Sequence, residues 1–179
     1  MEKTLPLPRI PTNIVFHKRQ LWLYNCDMHS GKIGKGFLRQ CGIAGRGAQE
    51  VNSTLRKHIS LNLDSKVKEL IVWSDSCGGQ NQNIKLTLLL FAVLVENDNL
   101  EKITLRFMVP GHSYLENDSE FSDIEPALKI QTRLYTPQDY IDVMTSCHKR
   151  NKLTATKMEC LDFVVISKMM KTIVNRKKI

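Results

Sequence analysis

Asp75 has the clearest chemical setting in this sequence. It follows the apolar run Leu70-Ile71-Val72-Trp73 and opens the stretch Asp75-Ser76-Cys77-Gly78-Gly79-Gln80-Asn81-Gln82-Asn83. Sheets of α/β proteins place their sites at the carboxyl ends of strands. The two glycines let the backbone turn tightly into a helix, and amides and a hydroxyl surround the carboxylate. One reading is a carboxylate holding Mg²⁺ at a strand end, with Gln80, Asn81 and Asn83 positioning phosphate or water. The other is a turn and helix cap built from polar residues. Both stay open at this level.

A second group follows the next expected strand, in Gly111-His112-Ser113-Tyr114-Leu115-Glu116-Asn117-Asp118-Ser119-Glu120. That order predicts the same sheet edge as Asp75. His112 has the chemistry of a general base, a phosphate contact or a metal ligand; a loop histidine bonded to backbone is the competing reading. Asp118, Glu120, Asp123 and Glu125 offer carboxylates, most of them expected at a helix start or in solvent. A metal site would need one or two of them near Asp75. Arg46, within Gly45-Arg46-Gly47, could meet a phosphate at a helix N-terminus. Glu50 replaces the last glycine of a dinucleotide loop and no Lys-Ser/Thr pair follows, so a plain turn is the favoured reading.

Nucleophile signals are weak. Ser76 and Ser113 lack the G-x-S-x-G setting. Nothing couples Cys77 to a histidine and an asparagine. The five cysteines form no C-x-x-C pair, so neither a disulfide framework nor a zinc knuckle is indicated, and buried reduced thiols are expected.

The elements that must position these residues follow from periodicity. Residues 5–11 hold three prolines, which excludes a central strand or a helix and predicts an extended lead-in. Residues 20–26 and 37–43 read as paired strands around the turn chemistry of 30–36. Val51, Leu55 and Ile59, four apart, predict a helix over 49–61. Residues 67–74 read as a strand covered on both faces. A helix over 83–95, a strand over 103–109, a helix over 119–134 capped by Ser119 or Ser122, and a helix over 137–147 follow. Residues 160–167 read as a late strand or helix. The fold class is α/β: a mixed sheet, an antiparallel hairpin plus parallel strands, with flanking helices.

The chain has 179 residues, 42% of them hydrophobic, which is enough for a packed core. No apolar run reaches the roughly 18 residues of a membrane helix, and no signal peptide opens the chain. An intracellular protein without membrane contact is expected. The 26 lysines and arginines exceed the 18 acids by a net charge of +8, which fits a polyanionic partner. Arg176-Lys177-Lys178 supplies part of that excess; it reads as a frayed basic end, with nuclear targeting as the minor alternative. Oligomeric state is not encoded legibly.

Trp73-Ser74-Asp75-Ser76-Cys77-Gly78-Gly79-Gln80-Asn81-Gln82-Asn83, followed by Pro110-Gly111-His112-Ser113 and Asn117-Asp118, resembles a transposon-associated family common in invertebrate genomes, the DUF7869 type. Ile43-Ala44-Gly45-Arg46-Gly47 and Leu5-Pro6-Leu7-Pro8 also match it, so the resemblance covers roughly residues 2–135. It implies an RNase H-like fold, with three antiparallel strands followed by helix, strand, helix, strand, helix. On that reading residues 1–135 form the RNase H-like domain and 136–179 a helical, basic extension.

The resemblance further implies metal-dependent phosphoryl transfer on nucleic acid, DNA foremost, with Mg²⁺ or Mn²⁺ held by carboxylates. Asp75 matches the second acid; Asp118 is the choice for the third and Asp123 the fallback, with His112 beside them. The family's first-strand acid would precede Glu2, so a truncated first strand and an inactive copy are expected. Asp27 and Cys41 also depart from the family pattern, which carries Gly and Glu there. Three readings result: a transposase-derived protein that has lost catalysis, a domesticated nucleic-acid-binding module, and an active enzyme completed in trans or by an upstream exon.

Overall fold

The structure is a computed structural model. It describes residues 2–12, 21–31, 33–40, 45, 47–77, 81–109, 115–147, 153–166 and 168. The described residues form a mixed α/β protein with four helices, an antiparallel hairpin and a parallel strand pair. They divide into two compact units, residues 1–45 with 114–160 and residues 46–113 with 161–179.

The first unit is built on a four-stranded sheet. Strand β1 (Glu2–Leu7) pairs antiparallel with β2 (Leu21–Ser30), and β2 pairs antiparallel with β3 (Ile33–Gln40). The expected lead-in is thus a strand. Its proline is tolerated because β1 lies at the sheet edge, where a missing N–H breaks no inner ladder. Ser30 pairs with Ile33, leaving a two-residue connection. Gly31 takes φ +65° there, the left-handed conformation such tight hairpins need.

The sheet is mixed, as expected, but the parallel neighbour of β3 is a strand that periodicity does not reveal, β4 (Thr154–Lys157). Two helices complete this unit. Helix α1 (Glu116–Ile130) buries Phe121, Ile124 and Leu128 at helical spacing, with Pro126 on its exposed side. Helix α2 (Pro137–Ser146) starts at Thr136, whose Oγ1 accepts from Asp139 N while Asp139 Oδ2 accepts from Thr136 N, a reciprocal cap. The three backbone and hydroxyl donors around Asp139 hold its carboxyl below the usual range.

The core of this unit joins Leu7, Leu23, Phe121, Leu128, Tyr140 and Met144. Tyr140 is fully buried, and its hydroxyl donates to Pro6 O at 2.5 Å. Burial pushes that phenol up to about 12. Residues 137–146, read from sequence as part of an extension, therefore hold the edge strand in place.

The second unit contains helix α3 (Ala48–Asn62), strand β5 (Glu69–Ser74), helix α4 (Ile84–Glu96) and strand β6 (Lys102–Phe107). Strands β5 and β6 pair in parallel as a sheet of two. Leu70 and Val72 of β5 and Ile103 and Leu105 of β6 pack on Ile59 of α3 and Leu86, Leu90 and Val93 of α4. The expectation that this strand is covered on both faces fails: Ile71 and Trp73 are 46% and 51% exposed. The apolar run there reflects one packed face and one apolar outer face.

Ser53 and Thr54, both buried on α3, satisfy their hydroxyls at the carbonyls of Gln49 and Glu50. Ser53 Oγ also accepts from Val164 N at 3.1 Å, and Lys57 Nζ pairs with Asp162 Oδ2. The segment after a single 3-10 turn at Cys160–Asp162 is thereby strapped to α3. No helix of the described residues is long and apolar enough to cross a membrane.

Candidate functional site

Asp75 lies where the sequence places it, directly after β5. Its Oδ1 accepts from Asn81 Nδ2 at 2.5 Å and from Cys77 N at 3.3 Å. Ser76 Oγ donates to Met108 O at 2.5 Å, tying the loop to the end of β6. Asn81 N and Gln82 N both donate to Cys77 O. Asn83 Oδ1 then accepts from Leu86 N at 3.2 Å and caps α4. Every described polar residue of this loop thus has a turn-closing or capping bond, as the structural alternative requires. Gln80 lies outside the described residues, as do Arg46 and His112.

Asp118 sits in the first turn of α1. Its Oδ2 accepts from Leu115 N at 3.3 Å, and its own N–H donates to Leu115 O at 2.9 Å. The helix therefore starts at Glu116, earlier than the expected Ser119 or Ser122 caps. Asp123 is exposed on the same helix, near Cys147, whose thiol is pushed up by burial and then by the Asp123 charge. Asp118 and Asp123 belong to the first unit and Asp75 to the second.

Asp75 and Asp118 are thus engaged in backbone and amide bonds. Among the described residues no group of three or more His, Cys, Asp or Glu side chains could hold a metal ion. Among the described residues, Asp75, Asp118 and Asp123 do not come together in one unit. The cysteines also differ from expectation: Cys26 is buried, but Cys77 and Cys160 are exposed, while Cys41 lies outside the described residues.

One titratable cluster escaped sequence reading. Asn25, Asp27 and His29 alternate along β2 and share one face of the strand. Asp27 is 2% exposed and Glu120 of α1 is 9% exposed. Glu120 lies close enough to Asp27 to raise the affinity of the Asp27 carboxyl for its proton. Burial first, and then the neighbouring Glu120 carboxyl, push the Asp27 carboxyl up to about 8, with the Met28 backbone opposing the rise.

His29 Nε2 donates to Gly31 O at 2.8 Å, and His29 Nδ1 lies 2.7 Å from Glu120 Oε1. Beside Asp27, Asn25 Oδ1 is buried without a hydrogen-bond partner among the described residues. Through Asp27 the cluster couples proton occupancy to the seating of α1 on β2. The signal that could have found it is the polar alternation Asn25-x-Asp27-x-His29; the strand reading stopped at Cys26.

No curated protein and no solved structure matches the chain. A family model described as "Domain of unknown function (DUF7869)" matches residues 51–178. That span starts later and runs further than the resemblance read over residues 2–135. It covers more than half of the sequence, and the chain accordingly belongs to the DUF7869 family.

Proposed function

We propose that this chain is a transposase-derived, RNase H-like protein that binds nucleic acid, DNA foremost, and does not cut it. The observation that carries the binding half is where the charge sits. Residues 147–179 hold nine lysines and arginines against two acids, nearly all of the net +8. Such a concentrated cationic segment releases counterions when it meets phosphates. Within it, Val164 and Asp162 bond to Ser53 and Lys57 of α3.

Ancestry is supported by the element order. Three antiparallel strands, β1 to β3, precede helix, strand, helix, strand, helix, from α3 through α1, the order of an RNase H-like chain. In that lineage Mg²⁺ or Mn²⁺ polarises the scissile phosphate. Here one oxygen of Asp75 closes a turn and one oxygen of Asp118 closes a helix end, which supports a structural use of both acids. A nuclear, intracellular setting is part of the same proposal.

The experiment is incubation of the purified chain with labelled single- and double-stranded DNA in Mn²⁺. The expected result is a salt-sensitive complex and intact DNA. Cleavage that disappears in Asp75→Ala would overturn the non-cutting half; absence of any complex at low salt would overturn the binding half.

A further inference from the structure

Trp73 and Arg106 stand opposite one another in the parallel register of β5 and β6, and the Arg106 guanidinium lies 5.1 Å from the centroid of the Trp73 ring. Both are exposed, on the strand face turned away from α3 and α4. Ile71, two residues earlier, continues that face. Its one acid, Glu69, is paired with Lys102 at 2.8 Å and accepts from Thr104 Oγ1 at 3.2 Å. Lys102 therefore offsets Glu69, and the charge left on the face is the guanidinium against the indole.

From this pairing we infer that the outer face of β5–β6 is a base-stacking platform for single-stranded nucleic acid, an inference that rests on the nucleic-acid reading above. An exposed indole offers the flat surface on which any base stacks. A guanidinium over it adds cation–π attraction and a planar donor fork for phosphate or a base edge. Ile71 extends the apolar floor along the strand. A protein partner would meet an apolar patch of two side chains interrupted by one charge pair and one cation. A strand of bases on a polyanionic backbone is complementary to both features at once.

The chain has two tryptophans, so Trp22→Phe makes Trp73 the sole indole reporter. Labelled oligo-dT is titrated into that full-length variant at low salt, with anisotropy and indole fluorescence read together. The expected result is quenching that saturates with the anisotropy. Trp73→Ala weakens binding roughly fivefold to a hundredfold without changing the salt slope, and Trp73→Phe restores most of the loss. Arg106→Lys, which keeps the charge but not the plane, weakens binding less than Arg106→Ala.

Oligonucleotide binding with unchanged indole fluorescence and an unaltered Trp73→Ala affinity would overturn the platform alone and leave the nucleic-acid reading standing. No anisotropy change at low salt would overturn both. A dimer in sedimentation that Trp73→Ala abolishes would show the face to be a contact between copies, and the platform would fall.

Discussion

His29 of β2 and Glu120 of α1 meet at 2.7 Å, Nδ1 to Oε1, although 91 residues separate them in the chain. Asp27, on the same strand face, lies beside Glu120 and carries a carboxyl that burial and that neighbour push up. Through Asp27 the seating of α1 on the sheet is linked to a proton.

Asp27 holds its proton in the folded chain up to about pH 8, against an ordinary value of 3.8. Across that window the folded state binds a proton that the unfolded chain has released. The stability contribution is full below 3.8, declines as pH rises and is lost above about 8. Asp27→Asn, whose amide can donate to Glu120 at every pH, should raise stability at pH 8 by on the order of 2 kcal/mol. Urea denaturation at several pH values checks this; an unchanged pH slope in the variant would remove Asp27 from the account.

Tyr140 ties α2 to the edge strand through Pro6 O. Tyr140→Phe keeps the packed ring and deletes one buried hydrogen bond, so a loss of about 1–2 kcal/mol is expected. The loss should be local first. Hydrogen exchange should quicken at the amides of β1 before it does in α1, and a uniform change across the sheet would contradict the tie.

Asp75 acts here as a turn lock. Asp75→Ala removes the acceptor for Asn81 Nδ2 and Cys77 N and should cost about 1–2 kcal/mol, while Asp75→Asn keeps an acceptor oxygen and should cost less. Neither substitution should alter the response of thermal stability to Mg²⁺. A Mg²⁺-induced rise in the unaltered chain that Asp75→Asn abolishes would restore the metal reading.

The strap that carries the basic segment depends on Ser53. Ser53→Ala removes the acceptor for the part-buried Val164 N–H, a cost of about 1 kcal/mol. Proteolysis after the lysines beyond Val164 should speed up, and unchanged cleavage kinetics would count against the strap.

What the sequence made legible was set by local signals. The helix at Ala48–Asn62 follows from Val51, Leu55 and Ile59, and that at Pro137–Ser146 falls within the expected 137–147. Strand β4 went unseen because Thr154–Lys157 is four residues with no apolar run. The start of α1 was misplaced because Leu115 has no capping side chain; Asp118 bonds backward to Leu115 N instead. The buried carboxyl pair stayed hidden because the burial of Glu120 arises only when α1 packs across β2, a tertiary fact with no local trace.

The most direct test of the central claim is the salt dependence of nucleic-acid affinity in the full chain and in a variant with Arg176→Gln, Lys177→Gln and Lys178→Gln. Anisotropy of a labelled single strand is followed between about 50 and 200 mM salt. The expected result is an affinity that falls steeply for the unaltered chain, with a log–log slope reduced by about two in the variant. An affinity indifferent to salt, or a slope equal in both proteins, would contradict a function built on phosphate contacts by the basic segment.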